Sequence, residues 1–145
     1  MQVKADNLPT KRMVRRVLWI AGILAAGFTA GATLAQGPAL AMLDRLQPGQ
    51  WELRDRSGSN VRRLCVSSGR KLIQVRHFGE TCQSFIVQDT PGEVTVQYTC
   101  PGTGNGRTRI RFENQALAQV ESQGIARGLP FEFVAEARRV GDCGR

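Results

Sequence analysis

Cys82-Gln83-Ser84-Phe85-Ile86-Val87-Gln88-Asp89-Thr90-Pro91-Gly92-Glu93-Val94-Thr95-Val96-Gln97-Tyr98-Thr99-Cys100 is the stretch that decides the fold. Two runs rich in β-branched and aromatic residues flank Asp89-Thr90-Pro91-Gly92, whose proline and glycine supply turn chemistry, so the segment reads as a β-hairpin. With Asp89 opposite Glu93, Ile86 falls opposite Val96, Ser84 opposite Tyr98 and Cys82 opposite Cys100. Cross-strand partners on one face stand close enough to bond through sulfur. A slip of one residue would part the two cysteines, so the hairpin and a Cys82–Cys100 disulfide predict each other.

Cys65 and Cys143 then pair by elimination and tie an early strand to the end of the chain. An even number of cysteines in a small exported domain reads as a disulfide framework. A zinc site needs close ligand pairs such as C-x-x-C, and the sequence has none. No metal and no cofactor is expected.

Outward from the hairpin the pattern stays β. Gln50 to Asp55 alternates with Trp51 and Leu53 on one face, and Val61 to Val66 forms a second run after the turn Ser57-Gly58-Ser59-Asn60. Ser67-Ser68 caps an expected short helix from Gly69 to Arg76. Pro101 to Gly106 reads as a glycine-rich connector, followed by strands Arg107–Phe112, Leu117–Ser122 and Phe131–Ala137. The last of these also fits a helix, because Glu132 and Glu136 are four apart. The expected fold is mainly β: an antiparallel sheet or partial barrel of six to seven strands with one short helix and two disulfides.

The first forty residues are of another kind. Lys11-Arg12-Met13-Val14-Arg15-Arg16 precedes an uncharged apolar run from Val17 to Phe28, and small residues lead to two candidate cleavage sites, after Ala35 and after Ala41. This order of charge, apolar stretch and small-x-small site is that of a secretory signal. Counted on to Ala35, the uncharged stretch is also long enough to span a bilayer, as a hydrophobic targeting helix retained in the inner membrane. Residues 1–41 are therefore read as signal peptide or signal anchor with a short linker, and 42–145 as the stapled β domain. The expected compartment is the periplasm or the exterior, with membrane contact only if the leader is uncleaved.

The formal charge of the 145-residue chain is +8. Lys4, Lys11, Arg12, Arg15 and Arg16 against Asp6 place half of that excess in the leader, so the domain itself is mildly basic, and its cations are nearly all arginine. Export and the lack of interleaved exposed aromatics speak against nucleic acid as a partner.

At Pro48-Gly49-Gln50-Trp51-Glu52 the sequence resembles a family of exported proteobacterial proteins of unknown function. Those proteins carry a Pro-Gly-x-Trp-Glu motif soon after a signal peptide, then paired cysteines and β-rich segments. The resemblance covers roughly residues 44–143 and implies an exported β domain. It carries no catalytic residues over to this chain.

Arg107, Arg109 and Arg111 are the sharpest candidate for a site. Period two sets all three on one face of a strand, about 7 Å apart, with Thr108, Ile110 and Phe112 opposite. Such a ladder suits anionic lipid, an acidic glycan or a carboxylate-rich envelope protein through forked guanidinium contacts; the plain alternative is a solvated face balanced by acids on neighbouring strands. His77, the only histidine, has Ser67 and Ser68 nearby in sequence but no triad pattern. Gly102 to Gly106 lacks the following helix a phosphate cradle needs. Trp51, facing Leu53, reads as core rather than a sugar platform. Glu132 and Glu136 read as partners for arginines such as Arg138 or Arg139. The sequence thus predicts a non-enzymatic binding module for anionic envelope material or a small apolar ligand, with a protein-interaction module such as a hydrolase inhibitor as the alternative.

Overall fold

The computed structural model describes residues 39–56 and 58–144; the leader, its apolar run and the candidate cleavage site after Ala35 lie outside them. Seven strands form one open antiparallel sheet: β1 (Gly49–Asp55), β2 (Val61–Val66), β3 (Gln83–Asp89), β4 (Glu93–Cys100), β5 (Gly104–Asn114), β6 (Leu117–Ala126) and β7 (Leu129–Gly141). Their order across the sheet is β2-β1-β7-β6-β5-β4-β3. β3 to β7 is therefore a meander, and the β1–β2 hairpin is added beside β7. With β2 and β3 both at edges, the sheet is open rather than a closed barrel.

The chain leaves β2 at one edge and re-enters at β3 on the other, so residues 67–82 must cross the sheet. This crossover buries Leu72, Ile73, Val75 and His77. A short helix, α1 (Ala41–Asp44), adds Met42 and Leu43 to the same core, joined by Leu46. Facing them from the sheet are Trp51 and Leu53 of β1, Leu64 and Val66 of β2, Val94, Val96 and Tyr98 of β4, Ile110 of β5, Val120 of β6, and alanines of β6 and β7. The period-two pattern read from the sequence is the pattern of burial.

Both disulfides form as expected, with Cα–Cα distances of 4.2 Å for Cys82–Cys100 and 5.6 Å for Cys65–Cys143. They close segments of 18 and 78 residues, which on the chain-entropy account stabilise by about 3 and about 4.5 kcal/mol. Against a usual total of about 5–15 kcal/mol, either bond is a large fraction. Two formed disulfides fit an oxidising compartment. Among the described residues no helix is long and apolar enough to cross a membrane.

The Pro-Gly-x-Trp-Glu stretch has a structural job at nearly every position. Gly49 sits at φ 148°, and a Cβ there would run into the Gly141 carbonyl and the Arg139 guanidinium. Arg139 Nε donates to the Pro48 carbonyl at 2.8 Å. Trp51 is fully buried and donates from Nε1 to the Gln47 carbonyl at 3.0 Å. Glu52 is held by Arg54 at 2.7 Å and Arg63 at 3.1 Å. Those two hydrogen bonds hold its carboxyl below the usual value.

Three local expectations are corrected, and one alternative is closed. The helix expected over Gly69–Arg76 is a 3-10 turn, Gly69–Leu72, with Ser68 capping it as foreseen, followed by further turns closed by i→i+3 bonds. Its buried positions, 72, 73, 75 and 77, do not share one face of an α-helix, so burial overrides the local preference. Asp89 stands opposite Val94, not Glu93. A bulge at Val87 absorbs the extra residue, and Thr90–Glu93 closes the turn, so Ile86–Val96 and Ser84–Tyr98 keep the expected register. The glycine connector ends at Thr103, because Gly104 and Gly106 already lie in β5. Those glycines permit close packing: a Cβ on Gly104 would strike the Ile125 carbonyl, and one on Gly106 the Tyr98 hydroxyl. The last element is a strand throughout, and β6 and β7 meet at a tight turn in which Arg127 (φ 53°) and Gly128 (φ 80°) are both left-handed, as a type I′ hairpin requires.

Candidate functional site on the outer sheet face

Strand β5 alternates as the sequence demands: Thr108 and Ile110 are buried, while Arg107, Arg109 and Arg111 are exposed on the opposite face. The three arginines differ in what surrounds them. Arg109 donates from Nε to Glu93 at 2.9 Å and lies 3.7 Å from Glu121. Arg111 donates to Glu113 at 3.2 Å. Arg107 has no ion pair among the described residues. Its cross-strand neighbours are Gln97 on β4 and Gln123 on β6.

Continuing the register in both directions gives one row across five strands: Phe85, Gln97, Arg107, Gln123 and Glu132. All five are exposed, Phe85 by 70%. The row beside it holds Gln83, Thr99, Asn105, Ile125 and Pro130. Two depressions of about 320 and 410 Å³ open on this face, and Arg107 and Gln123 line both. Arg107 thus stands without an ion pair between two amides, which both donate and accept hydrogen bonds, although Glu93, Glu121 and Glu132 line the first of these depressions with it. Sequence reasoning found the arginine but missed the amides and Phe85, which are far apart in the chain and meet only through the register.

The other candidates fall elsewhere. His77 is a buried residue of the crossover itself, with Nδ1 3.2 Å from the Tyr98 hydroxyl and its ring 6.0 Å from that of Phe131. Its neighbour is thus a tyrosine, and the serine next to the crossover, Ser68, is engaged as a cap. Thr108 donates to the Ile73 carbonyl at 2.6 Å and shares a 2.7 Å hydrogen bond with Ser122. Together these groups pin the crossover to the sheet. Burial pushes the Tyr98 phenol above its usual value, against opposing hydrogen bonds from Ser122 and Thr108 and the charge of Arg76. Trp51 is core, and Glu136 pairs with Arg138 at 2.9 Å. Among the described residues no cluster of three or more histidine, cysteine or acidic side chains gathers as a metal site would.

The chain matches no protein-family model, no curated protein and no solved structure.

Proposed function

We propose that this is an exported, non-enzymatic binding module that takes anionic envelope material on the outer face of its sheet, with Arg107 as the charged contact. The leader pattern and the two disulfides support export, and membership of the exported family resembled at Pro48–Glu52 belongs to the same reading. The observation that carries the binding role is the contrast within the ladder. Arg109 and Arg111 are engaged by carboxylates, whereas Arg107 stands between Gln97 and Gln123 with its charge unspent. A guanidinium without an ion pair, set between two amides, is suited to an external carboxylate or phosphate.

The test is equilibrium binding of the secreted protein to a panel of anionic envelope polymers and vesicles at low and high salt. Wild type should bind at least one of them, more weakly as salt rises. Arg107→Gln should lose about tenfold in affinity, the worth of a charge-assisted hydrogen bond. Equal binding by wild type and Arg107→Gln on every anion would sink the reading.

A second reading, a protein-interaction module, is favoured by the β3 edge. Every residue of β3 is exposed, and from Gln83 to Gln88 it carries no charge. The β2 edge carries Arg62 and Arg63, the usual guard against strand pairing. A partner strand added along β3 would engage Phe85, Ile86 and Val87.

The structure also bears on where the leader ends. Leu40 is buried, and its backbone N–H donates to Asp89 at 2.7 Å. Cleavage after Ala41 would discard both contacts, so the reading places the mature start at Gln36.

A further inference from the structure

We infer that the occupant of this face is a linear glycan bearing carboxylates, lying across the strands along the row from Phe85 to Gln123; the inference rests on the anion-binding role proposed for Arg107. Three features select it.

The first is the distribution of acids. Glu93, Glu121, Glu132 and Glu136 lie on the same face of the sheet as Arg107. A uniformly anionic membrane surface would press its negative potential against all four at once. A chain with discrete charges can set one carboxylate on Arg107 and keep the others away from the glutamates. The exposed apolar side chains here are Phe85, at the end of the Arg107 row, and Ile125 in the next row, and polar side chains of β4 and β5 lie between them.

The second is the chemistry of the neighbours. Gln97 and Gln123 flank Arg107, and Gln83, Thr99 and Asn105 supply the β3, β4 and β5 positions of the next row. Amides and a hydroxyl each donate and accept, which is what a surface of vicinal hydroxyls demands of its receptor. A phosphate alone would leave the amides idle. The strands fix the backbone from which these side chains reach, so that only their rotamers remain to be ordered on binding.

The third is spacing. Neighbouring strands lie about 4.8 Å apart, close to the length of one sugar ring in an extended chain. Phe85, Gln97, Arg107 and Gln123 are on consecutive strands β3, β4, β5 and β6. Successive sugars would therefore meet successive strands: one ring against the exposed Phe85 face, the next at Gln97, and the third with its carboxylate on Arg107.

The experiment is titration of the full secreted protein with three probes: a short oligomer of galacturonic acid, the same oligomer with its carboxylates reduced to alcohols, and phosphatidylglycerol vesicles. The galacturonic acid oligomer should bind, and its reduced form should bind at least about tenfold more weakly. Arg107→Gln should cost about tenfold, while Gln97→Ala, Gln123→Ala and Phe85→Ala should each cost about threefold. Gln119→Ala, in the Arg111 row, should change nothing. These positions are exposed, so an unchanged unfolding midpoint confirms that each variant is folded. Vesicle binding that depends on Arg107, with no binding of the acidic oligomer, would overturn the glycan inference and leave the anion-binding role standing. Equal affinity for the acidic and reduced oligomers would overturn the inference as well. Loss of Arg107 dependence on every probe would overturn both.

Discussion

The two faces of the sheet are made by the same strands and do opposite work. Along β5, Thr108 and Ile110 point into the core while Arg107 and Arg109 point to solvent. Along β4, Val94, Val96 and Tyr98 are buried while Gln97 is exposed. The inner face is filled by apolar side chains from every strand except β3, and by the crossover and α1 laid over it. The outer face is charged and amide-rich, and it divides again: Arg109 and Arg111 pair with acids, and Arg107 has amides as both its cross-strand neighbours. Period two lets one strand serve stability with its even positions and recognition with its odd ones. Substitutions on one face should then leave the readout of the other unmoved, as distant sites without shared partners behave additively.

The largest effect should come from the inner face. Trp51 is wholly buried in β1 and its indole N–H is satisfied by Gln47. Trp51→Ala should lose about 3–5 kcal/mol in urea unfolding through the cavity it leaves. Any anion binding that survives in the folded fraction should keep the wild-type affinity. A change in affinity of the folded protein would break the separation of faces.

Tyr98 tests the same face without a substitution. It is the only tyrosine in the chain, so phenolate absorbance reports it alone. Its pKa is raised above the usual 10.0 chiefly by desolvation. A raised folded-state pKa means that the contribution to stability is complete below pH 10. It is lost as the pH climbs past 10 toward the folded value, where the unfolded chain sheds the proton more readily. The native protein should therefore titrate late, the urea-unfolded protein near 10, and the unfolding midpoint should fall in alkali. A native midpoint at 10 would mean that the phenol is open to water and the crossover is not seated as described.

How much of this was legible in the sequence follows from the range over which each feature is encoded. The Cys82–Cys100 hairpin could be read because register, turn and cysteines sit within one short segment. The bulge at Val87 could not, since both the straight and the bulged hairpin bring the cysteines together. Strand existence was readable from alternation, but strand ends were not: β7 runs from Leu129 to Gly141, well past the Phe131–Ala137 pattern, because backbone pairing with β6 and β1 continues where the apolar alternation stops. The glycines of β5 looked like a flexible connector because glycine permits both freedom and close approach, and only the Ile125 carbonyl and Tyr98 hydroxyl beside them decide which. Helix α1 left no periodic signal in four residues. The ladder on Arg107, Arg109 and Arg111 was plain, yet the difference among the three arginines was invisible. It depends on Glu121 and Gln123 standing opposite Arg109 and Arg107, a matter of strand order and register.

That difference supports the smallest prediction. Glu93 neutralises Arg109 from the neighbouring strand, and the pair is partly exposed, with side chains 45% and 22% accessible for Arg109 and Glu93. Such pairs contribute about 1 kcal/mol or less, so Glu93→Gln should barely move the unfolding midpoint. It should, however, leave Arg109 shared only with Glu121 at 3.7 Å and remove a negative charge from the face proposed to take the ligand. If Arg107 binds because nothing neutralises it, releasing Arg109 should make the second arginine behave like the first. Affinity for a carboxylate polymer should then rise by about threefold at low salt, and the gain should vanish at high salt, where a Debye length of about 3 Å screens exposed charges. An unchanged affinity would mean that the ladder's arginines act by position along the strand and not by their freedom from acids, and the contrast between Arg107 and Arg109 would lose its meaning for recognition.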